Sequence, residues 1–227
     1  MPLLQENRTR PKTTLRLWVT LRPLARAFGY LAAKRVLDAV LAGFLLIGTL
    51  PLMALLALLI KIEDGGPVLY RQLRVGREGR LIPFYKFRSM RVNADAARHE
   101  LLGESDCVGP AFKMRRDPRV TRVGRVMRRR SLDELPQLIS VLIGHMALVG
   151  PRPHLCEEVA AYTDRQRERL RVKPGLLCLR EVGGRSDLDF DRWIELDLQY
   201  SETRGLLADA KILLRAIPAV LKGKGAY

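Results

Sequence analysis

The chain has 227 residues, 48% of them hydrophobic, which allows one ordinary domain with a core, or one domain plus appendages. Its 40 basic residues against 24 acidic ones leave a net charge of +16, and 31 of the 40 are Arg, whose planar fork suits phosphate. The expected partner is therefore anionic: nucleic acid, a lipid surface or a phosphorylated substrate. Three widely spaced cysteines (Cys107, Cys156, Cys178) argue against a disulfide framework. Neither they nor His99, His145 and His154 fall at zinc-ligand spacing, so a reducing compartment fits.

Residues 1–33 form a basic extension in which Arg8, Arg10, Lys12, Arg16, Arg22 and Arg26 stand against a single acid, Glu6. Scattered apolar residues make it either a loosely ordered arm or a helix on a membrane surface. After Lys34, Arg35 and Asp38, the 22 residues from Ala39 to Ile60 carry no charge. At about 1.5 Å per residue that run is long enough for a bilayer core of roughly 30 Å. It is too long and starts too far from Met1 for an ordinary signal peptide. Pro51 stands in its middle, where proline removes a backbone donor and bends a helix. Basic residues flank both sides, so the positive-inside tendency gives no orientation for a simple crossing. A helix over 34–62 that enters, breaks at Pro51 and returns to the same face satisfies both features. A simple span and a buried core helix are the alternatives.

Gly65-Gly66-Pro67 ends this segment. Val68–Tyr70 and Leu81–Phe87 read as strands around the turn Gly76–Gly79, hence a hairpin. Residues 93–104 read as a charged helix. Residues 115–130 hold eight arginines and one acid, Asp117. Arg119, Arg122 and Arg125 recur at threes and would share a helical side, either solvated or facing lipid headgroups.

The stretch Arg128-Arg129-Arg130-Ser131-Leu132-Asp133-Glu134-Leu135-Pro136-Gln137 follows. Ser131 with Glu134 is a capping-box spacing, so a helix start is expected there. Asp133 would sit in the positive end of that helix, with arginines near, and both influences favour its ionised form. An ionised, positioned Asp can attack phosphorus. A capping box needs no chemistry, however, and locally the structural reading takes precedence. Leu138–Leu142 continues as a helix, and Gly150-Pro151-Arg152-Pro153 fixes an extended turn presenting one Arg. Glu157–Arg171 and Asp191–Tyr200 read as helices, Gly183-Gly184-Arg185 as a loop with an anion contact, and Leu206–Leu221 as an interfacial helix. There are no repeats and no phosphate-binding glycine loop.

From Lys34 onward, about 85% of the chain, the sequence resembles the bacterial sugar transferase family, the monotopic phosphoglycosyl transferases. The matching pieces are Lys34-Arg35 with Asp38, Gly66-Pro67-Val68, Tyr70-Arg71-Gln72, Arg74-Val75-Gly76 and Tyr85-Lys86-Phe87-Arg88-Ser89-Met90. They continue with Asp117-Pro118-Arg119, Ser131–Gln137, Leu148–Pro153, Lys173-Pro174-Gly175 and Gly225-Ala226-Tyr227. The resemblance implies an α+β, mostly helical fold. A re-entrant membrane helix broken at Pro51, a small hairpin and interfacial helices would surround a cytoplasmic catalytic domain over 63–227. It also implies a small member with an N-terminal extension.

The implied reaction moves a sugar 1-phosphate from a UDP-sugar to undecaprenyl phosphate at the bacterial inner membrane, starting a surface polysaccharide. Asp133 would attack the β-phosphorus, UMP would leave, and the lipid phosphate would displace the phosphosugar from the carboxylate. Mg2+ would assist, held at Asp133 and Glu134. Arg128 and Arg152 are the implied phosphate contacts, with Lys86, Arg88 and Arg185 as further candidates. The chain departs from the usual pattern at Leu50, at Gly144-His145-Met146-Ala147, at Arg180-Glu181 and at Thr203-Arg204-Gly205. Those departures leave sugar specificity open. Two other classes compete: a non-catalytic membrane adaptor, and a nucleic-acid-binding protein. The uncharged segment and the lack of a recognition motif argue against the second. Oligomeric state is open, a homodimer included.

Overall fold

The computed structural model describes residues 13–222 apart from residues 99, 107–109, 113 and 184–187. Side chains are described over 29–219, except those of residues 98 and 102. Arg185, the first twelve residues and the terminal Gly225-Ala226-Tyr227 lie outside the described residues.

A single helix, α1 (Thr13–Asp64), carries the apolar run. Residues 13–33 are continuous with it, so the basic extension is not set apart by a break. The interruption expected at Pro51 is absent as well: the helix continues through it. Pro51 cannot donate a hydrogen bond, and the Thr49 hydroxyl donates back to the Leu45 carbonyl at 2.7 Å. A stripe of α1 faces inward, with Ala42, Leu56 and Ile60 buried and Leu46, Met53 and Ala57 half-buried. The other faces are apolar and exposed, with Phe44 75% and Ile47 70% accessible. A helix apolar all round has no ordinary place on a water-facing surface. The 36 residues Gly29–Asp64 are long and apolar enough to cross a membrane.

The hairpin forms as expected: β1 (Leu69–Val75) pairs antiparallel with β2 (Leu81–Phe87), with Tyr70 opposite Lys86 and Gln72 opposite Phe84. Alternation along a strand sends Tyr70, Gln72 and Arg74 to one face, and Phe84 and Lys86 join them across the ladder. The described residues of 93–104 are turns and short 3-10 segments at 96–98 and 102–104, not the expected helix. The next helix, α2, is Arg122–Arg129, capped by the Thr121 side chain on the Gly124 N–H. Arg119 therefore lies outside it and does not share a side with Arg122 and Arg125.

The capping box at Ser131 is not formed. Ser131 adopts the left-handed conformation with φ 55° and makes no side-chain cap. Its N–H instead bonds the Arg128 carbonyl at 3.0 Å, so it terminates α2 rather than starting a helix. Leu132–Glu134 is one 3-10 turn, and α3 (Gln137–Leu142) begins beyond Pro136.

β3 (Ala147–Val149) pairs in parallel with β4 (Gly175–Leu177), a contact not foreseen. A side chain on Gly175 would overlap the backbone of Gly150, so only glycine allows this approach. The charged helix expected over 157–171 is divided into α4 (Cys156–Ala160), α5 (Asp164–Arg167) and a 3-10 turn at 168–171. Then follow α6 (Leu179–Gly183), α7 (Phe190–Thr203) and α8 (Leu206–Lys222).

Both flanks of the apolar run are tied to this one domain. Lys34 Nζ lies 2.8 Å from Asp209 on α8, and Arg35 donates to the Val141 and Leu142 carbonyls beside α3. At the other end the Glu63 carboxylate accepts from the Arg122 and Val123 N–H groups of α2 at 2.6 and 3.0 Å.

Candidate active site

A cavity of about 570 Å³ is lined by the inner face of the hairpin, the segment from Arg88 to Ala96, Arg128 at the end of α2, and Arg152, His154 and Leu155 of the Gly150–Leu155 turn. The Val75 N–H donates to the His154 carbonyl at 2.9 Å, which pins that last turn to the hairpin. The walls include Arg74, Lys86, Arg88, Arg119, Arg128, Arg152 and Arg180, against Asp95 and Glu158. Such a wall suits an anionic ligand.

Asp133 is 7% exposed and stands beside the walls rather than among them. Leu132 and Leu135 flank it and pack with Leu56 and Ile60 of α1 and with Phe87 and Met127. Burial raises the Asp133 carboxyl above its usual range, and the adjacent Glu134 adds to this. Lys86, Arg128 and Arg152 pull the other way. The expectation that surroundings favour the ionised form thus holds only for the cations. Desolvation opposes them, and the helix N-terminus that was to help is a single 3-10 turn.

The cations are individually fixed. Arg128 Nε donates to Ser89 Oγ at 2.9 Å, and burial lowers its proton affinity while Asp133 and Asp117 support the charge. Burial, with Arg128 close by, brings Lys86 down to about 8 despite Asp133. Its ammonium lies 5.2 Å from the Tyr70 ring centroid. Arg152 donates to Glu134 at 2.5 Å and lies 3.9 Å from Glu181. Burial works against its charge, yet Glu134 and Glu181 raise its affinity for the proton overall. The Arg152 carbonyl accepts from the buried Arg169 at 2.6 Å, and Arg169 is itself paired with Asp197 and hydrogen-bonded to the Tyr162 hydroxyl.

Of the residues singled out in the sequence, Asp133, Glu134, Lys86, Arg128 and Arg152 are brought together. Arg88 reaches the cavity wall but is paired with Asp64 at the end of α1, with its Nη1 buried and unpartnered. Its guanidinium lies where a side chain on Gly66 would be, so Gly66 is required for the pair. Pro51 is exposed in α1 and is not a cavity residue.

Sequence reasoning passed over Tyr70, Gln72 and Arg74 as site residues, although strand parity with Lys86 was available to find them. It also missed Arg180, stacked 4.6 Å over Trp193. Glu181 was missed too; it links Arg152, Arg180 and Cys178 and is held below the usual carboxylate range because those cations outweigh its burial. Nothing local announces that pair.

Among the described residues no group of three or more His, Cys, Asp or Glu side chains could hold a metal. Asp133 and Glu134 offer two adjacent carboxylates, the small donor set that Mg2+ takes when substrate phosphates and water complete its shell.

A family model described as bacterial sugar transferase matches residues 29–223. The chain is 44% identical over 199 residues to the undecaprenyl-phosphate galactose phosphotransferase of Salmonella typhimurium, covering 86% of this chain and 41% of that protein. It is 42% identical over 204 residues to the UDP-glucose:undecaprenyl-phosphate glucose-1-phosphate transferase of Caulobacter vibrioides, covering 86% and 72%. It is 38% identical over 203 residues to the exopolysaccharide production protein ExoY of Rhizobium meliloti, covering 86% and 88%. The chain thus spans less than half the length of the Salmonella relative.

Proposed function

The chain belongs to the bacterial sugar transferase family, and from that premise we propose that it is an undecaprenyl-phosphate sugar phosphotransferase acting through a covalent phosphosugar on Asp133. In the first step an Asp133 carboxylate oxygen bonds the β-phosphorus of a UDP-sugar. The bond from that phosphorus to the bridging oxygen breaks, and UMP leaves with the electron pair. In the second step a phosphate oxygen of undecaprenyl phosphate bonds the same phosphorus. The acyl-phosphate bond breaks, giving undecaprenyl diphosphosugar and the free carboxylate.

The observation that carries this reading is a buried carboxyl enclosed by Lys86, Arg128 and Arg152, each of which is also a wall of the cavity. Those cations pull towards the ionised carboxylate against the burial that opposes it, and offset the charge of an approaching diphosphate. Burial makes the carboxylate more basic than a solvated one. Glu134 serves to hold Arg152. Mg2+, when bound at Asp133 and Glu134, would neutralise phosphate charge.

The membrane reading follows from the two anchors of α1. A globular domain cannot stand on both sides of a bilayer, yet Lys34 and Glu63 are each bound to the same one. On this reading both ends of the apolar run would lie at one face, with exposed Phe44, Ile47 and Leu50, next to Pro51, turned to the lipid, although the helix is unbroken at Pro51. Lys34, Arg35 and Lys61 at that face support a position on the cytoplasmic side of the bacterial inner membrane. Exposed Leu207, Leu214 and Ile217 on α8 and Ile143 after α3 suit an interfacial position. The product would start a surface polysaccharide. The relatives' names include both galactose and glucose, so the sugar is left to assay.

The test is UMP release from a panel of UDP-sugars with undecaprenyl phosphate, together with mass spectrometry of the acid-quenched enzyme. A phosphosugar adduct at Asp133 in wild type, absent from Asp133→Asn, is expected. If wild type releases no more UMP than the variant with any sugar, the non-catalytic adaptor is the better account.

A further inference from the structure

Eight cations line the cavity, Arg91 among them, but the arginine run at 115–130 holds more than the site uses. On α2 only Arg128 turns to the site. Arg122, Arg125 and Arg129 are exposed at spacings of three and four, on one side of the helix, and Arg130 follows them. Among the described residues none of these four guanidinium groups is held in an ion pair or hydrogen bond, and α2 contains no acid. Val126 lies among them, 63% exposed. A solvated face would mix both signs of charge and would not need an exposed β-branched residue at its centre.

The position of α2 supplies the second observation. Its inward residues Val123 and Met127 pack on Leu56 and Ile60, the last apolar turns of α1. Its N-terminus is fixed to Glu63, one turn past the end of the uncharged run. A helix clamped at that level lies where hydrocarbon gives way to headgroups.

We propose that the outer face of α2, formed by Arg122, Arg125 and Arg129 around Val126, binds the headgroups of anionic phospholipids. The inference rests on the membrane reading above and adds to it a lipid class and a surface. Val126 seats at the acyl boundary while the guanidinium forks take phosphodiester oxygens. Three arginines near an anionic leaflet amount to roughly a hundredfold in affinity for that surface at low salt. One helix then joins two tasks, since Arg128 on its other side holds the cavity wall.

The experiment uses the full chain in nanodiscs assembled from equimolar phosphatidylcholine and phosphatidylglycerol with lipid limiting. Retained lipid is quantified by mass spectrometry. Wild type is expected to enrich phosphatidylglycerol, and 0.5 M salt to abolish the enrichment. The triple variant Arg122→Gln/Arg125→Gln/Arg129→Gln should fall to the bulk ratio, with an unchanged Tm and unchanged UMP release in detergent. The triple Lys variant should keep most of the enrichment. Equal phosphatidylglycerol retention by wild type and the Gln variant overturns the proposal while leaving the membrane reading intact. Failure of wild type to enter nanodiscs at all, with the protein soluble without detergent, overturns both.

Discussion

Arg152→Lys is the substitution for which the geometry gives the sharpest expectation. The Arg152 fork faces two carboxylates, Glu134 at 2.5 Å and Glu181 at 3.9 Å, and its side chain is 20% exposed. A lysine keeps the charge that acts on Asp133 but is shorter and lacks the planar fork whose two terminal nitrogens face the two carboxylates. The charged hydrogen bond to Glu134, worth about 1.5–3 kcal/mol, is lost when the fork is withdrawn. If that bond positions the cation for the transferring phosphoryl group, kcat/KM should fall roughly 10- to 150-fold. Stability should fall less, because Glu134 and Glu181 keep partial access to water and Arg180 still holds Glu181. The assay is UMP release under kcat/KM conditions, with the Tm in detergent measured in parallel. A variant within threefold of wild type would refute the idea that the fork, rather than its charge alone, is used. A large loss of Tm with kcat/KM intact would make Arg152 a structural residue.

Lys86, at about 8, should give a pH limb: kcat/KM is expected to fall about tenfold per unit above that value as the ammonium loses its proton, and Lys86→Arg should move the limb beyond pH 9.5. The same shift acts oppositely on the free fold. The unfolded chain binds that proton more tightly, so the burial cost is full below about 8 and fades as pH rises towards 10.5. A flat activity profile from pH 7 to 9.5 would count against a catalytic use of the charge. Arg169→Met should cost about 3–5 kcal/mol, because the Asp197 carboxylate is left buried without its partner. Adding Asp197→Asn should recover part of the lost Tm, and an undiminished single variant would mean that the pair is idle. For topology, single cysteines at Gly29 and Gly65, in a background lacking the native three, should both react with an impermeant maleimide in inverted membrane vesicles and neither in intact cells. Labelling of the two from opposite sides would restore a plain crossing.

The periodic parts of the chain were readable because one residue's type carries most of the information. Two apolar runs around the Gly76–Gly79 turn announced the hairpin, and two prolines around Arg152 announced a rigid presenting turn. Ser131 shows the limit. Its spacing to Glu134 satisfies a helix start, but the preceding α2 needed a left-handed residue to end on, and Ser131 was taken for that instead. The parallel pairing of β3 with β4 depends on Gly150 meeting Gly175 across 25 residues, and three-residue strands carry no pattern of their own. Glu181 and Arg180 enter the site through Arg152, a contact that exists only after the 150–154 turn has been tied to β1. Burial was the hardest quantity to foresee. The local charges around Asp133 were visible in order, but not the desolvation that opposes them.

That burial has a source in the apolar helix itself. Leu132 and Leu135 bracket Asp133 and Glu134, and both leucines belong to the cluster formed with Leu56 and Ile60 of α1. The same cluster contains Met127, one residue before Arg128, and Phe87, one residue after Lys86. The apolar anchor therefore sets the positions of the buried carboxyl and of two of the three cations acting on it. A lipid phosphate held at the bilayer surface beside α1 would arrive at the level of this cluster, with no need for the acyl chain to leave the membrane. On the proposed function, placing the carboxyl next to the apolar helix, rather than at the outer end of the cavity, would let a water-soluble nucleotide sugar enter from one side and a membrane-bound acceptor from the other.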